Sequence, residues 1–269
     1  MVALRADVAG AARNAERARE GLDLEHEQRA FDRHAMVKRG FDIVVGSVLL
    51  LLSLPVILII AFGSAVALGA WPFFVQDRIG QGGERFRFVK VRTLPPTTDA
   101  YADKYSLADV RVPAFTQALR MLHLDELPQL ALVVLGRMSL VGPRPEMPEL
   151  HARLPRHVAT SRSLVRPGCT GLWQVGVHCD GLIAEAPEYD SLYVQHHNLR
   201  LDVWIMVQTV LKMARGGRGT IALSDVPTWA CRPVEAPRVI HLDRSLDDVV
   251  IDLSSGVLPA RRSLQELDA

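Results

Sequence analysis

Two adjacent carboxylates, Asp125 and Glu126, lie in the stretch Arg120-Met121-Leu122-His123-Leu124-Asp125-Glu126-Leu127-Pro128-Gln129. Pro128 has no amide hydrogen, so a helix tolerates it only near its first turn. Leu127, Leu130, Ala131 and Val134 then recur at helical spacing. These signals predict a helix start near His123 to Asp125, with both acids in its opening turn. Free amides and the positive dipole end at such a start hold a carboxylate ionised and attract phosphate. Arg120, and Arg144 in the corner Pro143-Arg144-Pro145, are planar forks suited to phosphate oxygens. A carboxylate nucleophile, a second carboxylate able to take a metal, and cationic clamps point to phosphoryl transfer. The competing reading is that the acid pair only caps a helix, as acids at helix starts commonly do.

Other segments must place this chemistry. From Ile43 to Val75 there is no charged side chain, which exceeds the roughly 20 apolar residues needed to cross a bilayer. The run starts too far from Met1 and is too long for a signal peptide. Pro55 interrupts it, with Ser53 nearby as a substitute hydrogen-bond donor. Both flanks are basic: Lys38 and Arg39 precede it, and Arg78, Arg85, Arg87, Lys90 and Arg92 follow. Lysine and arginine mark the cytoplasmic side. Two cytoplasmic ends predict a segment that enters one leaflet, turns at Pro55 and returns. Trp71-Pro72-Phe73-Phe74 reads as an aromatic anchor at the interface.

Downstream, Phe86 to Arg92 alternates apolar and basic residues, the pattern of a strand. Pro95 to Asp109 is polar and reads as a loop over the site. Pro167, Gly168 and Gly171 mark a turn before Trp173, which reads as packing. Glu188 to Tyr193 and Leu201 to Lys212 read as helices, with Asp190 structural and a site role for it as the alternative. Residues before Lys38 form a polar arm, helical and solvated or disordered. Residues 220–269 read as a Pro- and charge-rich tail with short apolar runs at Val239 to Leu242 and Val249 to Leu253. A net charge of +1 gives no bulk attraction to nucleic acid. Cys169, Cys179 and Cys231 are odd in number and form no C-x-x-C pair, which favours free thiols in a reducing compartment. With His178, His196 and His197 they match no common zinc spacing.

Three separated motifs carry a resemblance. They are Leu124-Asp125-Glu126-Leu127-Pro128-Gln129, Met138 to Pro145, and Pro167-Gly168-Cys169-Thr170-Gly171-Leu172-Trp173-Gln174. In this order, from about Lys38 to about Gly219, the chain resembles the bacterial sugar transferases, the monotopic polyprenol-phosphate phosphoglycosyl transferases. The resemblance implies a mostly helical α/β fold. A re-entrant helix–break–helix over 38–75 would precede a small cytoplasmic catalytic domain over 76–219, with short strands and amphipathic interfacial helices. It also implies a place on the cytoplasmic face of the bacterial inner membrane.

In function, the resemblance implies transfer of a phosphosugar from a nucleotide diphosphate-sugar, uridine-linked as the family expectation, to a polyprenol phosphate such as undecaprenyl phosphate. That step would start a cell-surface glycan. Asp125 would be the nucleophile, Glu126 a Mg²⁺ ligand, and Lys90, Arg120, Arg144, Arg111 and Arg78 phosphate contacts, with Ser53 and Pro55 at the membrane turn. Further partners implied are the bilayer and the glycosyltransferases of the glycan pathway, with a homodimer left open. The chain departs from the family pattern at Leu54, between Ser53 and Pro55. Gln117 replaces a glycine, and Leu132 and Arg137 replace an asparagine and an acid. Gly176-Val177-His178-Cys179 stands where an arginine usually follows glycine. Two other classes stay open on the residues alone: an inactive nucleotide-sugar scaffold and a Mg²⁺-dependent phosphohydrolase.

Overall fold

A computed structural model describes residues 2–100, 110–216 and 219–231, with side chains from Ala35 onward. The side chains of the N-terminal arm, most of the loop over 95–109 and the apolar runs of the C-terminal tail lie outside the described residues. The fold is mostly helical, with four short strands among the described residues.

The first helix, α1 (Val2–Leu68), contains Pro55. The expected interruption is therefore not a break, because the helix continues through the proline. Pro55 removes one amide donor from the turn below, and Ser53 Oγ donates to the Leu50 carbonyl at 3.1 Å, supporting the same turn. Its stretch Ala35–Leu68 is long and apolar enough to cross a membrane. Leu51, Leu52, Ile59 and Phe62 expose about 70 % of their surface, as expected of side chains that face lipid. Both ends of this apolar stretch dock on the same downstream domain. Near its start, Asp42 is buried, accepting from Ser139 Oγ at 2.8 Å and from the Leu140 amide at 3.1 Å. Near its end, Ser64 donates to the Arg92 carbonyl.

A hairpin follows. Strands β1 (Phe73–Ile79) and β2 (Arg85–Val91) pair antiparallel, with Phe74 opposite Lys90. The strand is where the alternation placed it, but its faces are mixed: Phe86 and Phe88 are buried on the face that also carries Lys90, and Val91 is buried on the opposite face, which carries the exposed Arg85 and Arg87. Phe73 and Phe74 fall in β1 and are half-buried, and Trp71 alone of that group is exposed.

Helices α2 (Ala114–Met121) and α3 (Gln129–Val134) flank the acid pair. Strand β3 (Ser139–Val141), helices α4 (Pro148–His151) and α5 (Arg156–Arg162), and strand β4 (Gly168–Thr170) follow. β3 and β4 pair in parallel, with Ser139 opposite Gly168. Their backbones approach so closely that a Cβ on Gly168 would stand 2.1 Å from the Gly142 nitrogen and 2.3 Å from the Thr170 carbonyl oxygen. Backbone cannot yield as a flexible side chain can. Gly168→Ala is expected to cost about 2–3 kcal/mol through overpacking, readable as a lowered denaturation midpoint. An unchanged midpoint would show that this junction relaxes freely.

Helices α6 (Leu172–Val175), α7 (Glu188–His196) and α8 (Leu199–Ala214) complete the core. Asn198 starts α8, its side chain accepting from the Arg200 and Leu201 amides. Leu172, Leu201, Ile205 and Tyr193 are almost fully buried there. Residues 219–231 pack back on the domain through the Gly176–Ile221 bridge and buried Val226 and Ala230.

Candidate active site

Asp125 and Glu126 sit on a 3-10 turn, Leu124–Glu126, and lie four and three residues ahead of the α-helix that the sequence suggested they would open. Glu126 and Leu127 amides donate back three residues, to His123 and Leu124 carbonyls at 3.3 Å. His123 enters this turn at φ 55°, the one non-glycine residue with positive φ among those described. Such a backbone is disfavoured for a side chain with a Cβ, and it turns the chain sharply between α2 and the acids.

Each neighbouring cation comes from a different element. Lys90, near the end of β2, lies over the Phe74 ring at 5.4 Å. Arg120, in the last turn of α2, reaches Thr93 Oγ1 at 3.5 Å. Arg144 Nη2 stands 3.9 Å from Glu126 Oε1. The Arg144 carbonyl is held in turn by Arg162 Nη2 at 2.5 Å, and Arg162 Nε pairs with the fully buried Asp190 at 2.8 Å. Asp190 is therefore structural, as read, and its structural work is to fix the corner that carries Arg144.

Asp125 is buried and its Oδ1 has no hydrogen-bond partner. Burial first, and the charge of Glu126 second, push its carboxyl up to about 6, against the pull of Lys90 and Arg120. Glu126 moves the other way. Burial favours its neutral form, but Arg144, Lys90 and His123 outweigh burial and hold it below the usual carboxylate range. Burial likewise lowers Lys90, although both acids oppose it. The pair is thus split, with one carboxyl close to neutrality and the other firmly ionised.

These groups face one cavity of about 980 Å³. It runs from Leu49, Leu52 and Ser53 of α1 to Val210 and Met213 of α8. Of the residues chosen from the sequence, Asp125, Glu126, Lys90, Arg120, Arg144 and Arg78 all line it. Arg78 is braced, donating to the Pro145 carbonyl at 3.2 Å and lying 3.7 Å from Glu146, so it ties β1 to the Arg144 corner. Arg111 is exposed and is not among the lining residues. Ser53 reaches the cavity wall, whereas Pro55 does not. Sequence reasoning did not single out His123, Gln129 or Lys212, which also line it. Lys212 carried a signal in retrospect, as the lone cation of the apolar stretch Val203 to Met213.

The sequence model describing bacterial sugar transferases matches residues 33–216, from the start of the apolar stretch to the end of α8. The chain belongs to the bacterial sugar transferase family. Among similar proteins, the exopolysaccharide production protein ExoY of Rhizobium meliloti is 36% identical over 191 residues, which cover 65% of this chain and 84% of that protein. The UDP-glucose:undecaprenyl-phosphate glucose-1-phosphate transferase of Caulobacter vibrioides is 36% identical over 186 residues, 64% of this chain and 68% of that protein. The UDP-N-acetylgalactosamine-undecaprenyl-phosphate N-acetylgalactosaminephosphotransferase of Aeromonas hydrophila is 32% identical over 192 residues, 68% of this chain but only 45% of that longer protein. Every element that builds the cavity of this sugar transferase falls inside the matched region, while residues 219–231 fall outside it.

Proposed function

We propose that this sugar transferase moves a sugar phosphate from a UDP-sugar to a polyprenol phosphate, undecaprenyl phosphate being the acceptor named for relatives. The step initiates a cell-surface glycan. The observation that carries this reading is Asp125: a buried carboxylate with an unpartnered oxygen, in the field of Lys90 and Arg120, in a cavity that reaches the apolar helix.

An Asp125 oxygen attacks the phosphorus next to the sugar. A carboxylate–phosphorus bond forms, the bond to the bridging oxygen breaks, and uridine monophosphate leaves with that electron pair. The polyprenol phosphate oxygen then attacks the same phosphorus. The Asp125–phosphorus bond breaks, the carboxylate is regenerated, and polyprenol diphosphate-sugar departs. Lys90, Arg120 and Arg144 offset the charge on the equatorial oxygens.

Among the described residues no cluster of three acidic, histidine or cysteine side chains could hold a metal ion by itself. Mg²⁺ takes only one or two carboxylates and fills its other positions with phosphate and water. The ionised Glu126 on the cavity wall fits that role. When bound, the ion supplies further charge stabilisation to the diphosphate.

The expected result with UDP-sugar alone, in Mg²⁺ and without polyprenol phosphate, is a phosphosugar adduct on Asp125 and one equivalent of released uridine monophosphate. Mass spectrometry of quenched enzyme reads it. Uridine monophosphate release that needs the lipid phosphate in the same complex, with no adduct at any time, would overturn the covalent route. Steady hydrolysis without lipid would make the enzyme a phosphohydrolase.

The apolar stretch of α1 is proposed to be re-entrant, with the active site at headgroup level on the cytoplasmic face. Its two ends dock on one domain through Asp42 and Ser64, its flanks are basic, and Ser53 in its middle lines the cavity. Single cysteines placed at either flank of the stretch should both react with impermeant thiol reagents from the cytoplasmic side. Labelling of the N-terminal flank only from the periplasm would exclude it.

A further inference from the structure

The cavity has a second polar wall that the transfer chemistry does not use, built by α6 and the last turn of α8. Lys212 is half-buried there, its ammonium donating to the Gln174 carbonyl at 2.6 Å and lying 3.5 Å from Cys179 Sγ. Neither partner carries a formal countercharge, and among the described residues no carboxylate lies within ion-pair distance of it. Trp173 is 5% exposed and its indole N–H has no partner, and both amide atoms of the Gln174 side chain are buried without one. All three residues line the cavity.

A buried donor left unmade is normally avoided, because its desolvation goes uncompensated. Three orphaned atoms, the donors Trp173 Nε1 and Gln174 Nε2 and the acceptor Gln174 Oε1, on one stretch of cavity wall beside Lys212 mark a place where a ligand supplies the missing partners. Their chemistry defines that ligand. Trp173 offers one donor, Gln174 two donors and an acceptor, and Lys212 one remaining N–H. The complement is a cluster of acceptor oxygens, hydroxyl or carbonyl. A second phosphate is not required, since Lys90, Arg120 and Arg144 already flank the acids. The two walls are near each other, because Lys212 and Arg144 both act electrostatically on His123. The cavity volume, about 980 Å³, stands at the top of the range for small-molecule sites and accommodates an extended ligand reaching both walls.

We propose that Trp173, Gln174 and Lys212 form a subsite for the uncharged, oxygen-rich end of the nucleotide-sugar, and that Lys212 sets donor affinity. This rests on the donor being a nucleotide-sugar, as proposed above. Such oxygens occur on the sugar and on uracil, and the experiment separates them.

The full-length protein carrying Asp125→Asn, which holds donor without turnover, is titrated by calorimetry with UDP-glucose, UDP-galactose, UDP-N-acetylgalactosamine and uridine monophosphate. Lys212→Met and Trp173→Phe are then added singly. Each should weaken the UDP-sugar that binds by about tenfold, the usual effect of a lost hydrogen bond to a charged or buried group. If uridine monophosphate weakens equally, the subsite holds the base; if only the UDP-sugar weakens, it holds the sugar. With Asp125 intact, Lys212→Met should raise the KM for donor and not that for undecaprenyl phosphate, and Lys212→Arg should recover part of the loss. The thermal midpoint controls for folding, and Trp173→Phe keeps the ring, so it tests the donor alone. Affinities within twofold of the parent in both variants overturn the subsite and leave the function standing. A parent that binds none of the four ligands overturns the donor assignment itself.

Discussion

Asp125→Asn is expected to abolish turnover and at the same time to make the protein harder to unfold. The first effect follows from the nucleophile role. Removing such a group costs on the order of 10⁴-fold or more in kcat, because no other side chain can form the intermediate. The second follows from burial. The carboxyl is pushed from 3.8 up to about 6 in the folded protein. A raised carboxyl is better tolerated protonated, so its contribution to stability is greatest below about 3.8 and is lost as pH rises toward about 6. At pH 7 the ionised side chain is a liability of about 3 kcal/mol at most, by linkage.

Asparagine has the shape of the protonated acid and no charge, so the variant should melt higher than the parent at neutral pH. The gap should close near pH 4. The same shift sets the pH dependence of catalysis. The attacking form is the carboxylate, so kcat/KM should fall about tenfold per pH unit below about 6 and level off above it. A variant with wild-type turnover, or one that melts lower at every pH, would remove Asp125 from this position in the mechanism. Activity and stability oppose each other at this one side chain.

Arg162→Met should be the most damaging substitution away from the acids. It leaves Asp190, fully buried, without the guanidinium 2.8 Å away. Breaking a buried pair from one side typically costs about 3–5 kcal/mol. Burial pushes the Asp190 carboxyl up and Arg162 pulls it down, so the orphaned acid should take up a proton, and the variant should lose less at low pH than at neutral pH. Chemical denaturation of Arg162→Met and of Arg162→Met/Asp190→Leu checks this. The double variant should regain stability, since an apolar pair replaces an uncompensated charge. It should not regain activity, because the Arg144 carbonyl still lacks the donor at 2.5 Å. A double variant no more stable than the single one would mean that the pair's charges are not what matters.

The acid pair, its arginines, the basic strand and the membrane-length helix could all be read from the sequence, because each depends on local chemistry or periodicity. The turn type could not. Pro128 and the apolar spacing signal a helix nearby, yet they do not separate a 3-10 turn from the first turn of α3. Nothing about a histidine announces φ 55°. Arg111 precedes α2 closely, but proximity in sequence does not say which side of the chain a side chain takes, and it takes the solvent side. Pro55 signals a break or a kink, and the helix runs through it without a break, so what the proline supplies there is the lost backbone bond and the crowding of the carbonyl one turn back that kink a helix. Lys212 needed the fold, because only the packing of α8 against α6 brings a lone cation to the Gln174 carbonyl.

The start of the apolar helix is fastened to the enzyme by more than greasy contact. Lys38 Nζ bonds the buried Asp202 at 2.5 Å and the Val141 carbonyl at 3.1 Å, and Tyr193 completes that knot at 2.8 Å from Asp202. Arg39 covers the carbonyls of Val133 and Val134 at the end of α3, at 2.6 and 2.8 Å. Cutting the chain after Leu68 to obtain a water-soluble enzyme would therefore strip the counter-ion from Asp202, the Asp42 acceptor from Ser139 and Leu140, and the cap from α3. What looks like a mooring line is a structural member of the hull, and a truncated catalytic half should fail to fold rather than float free.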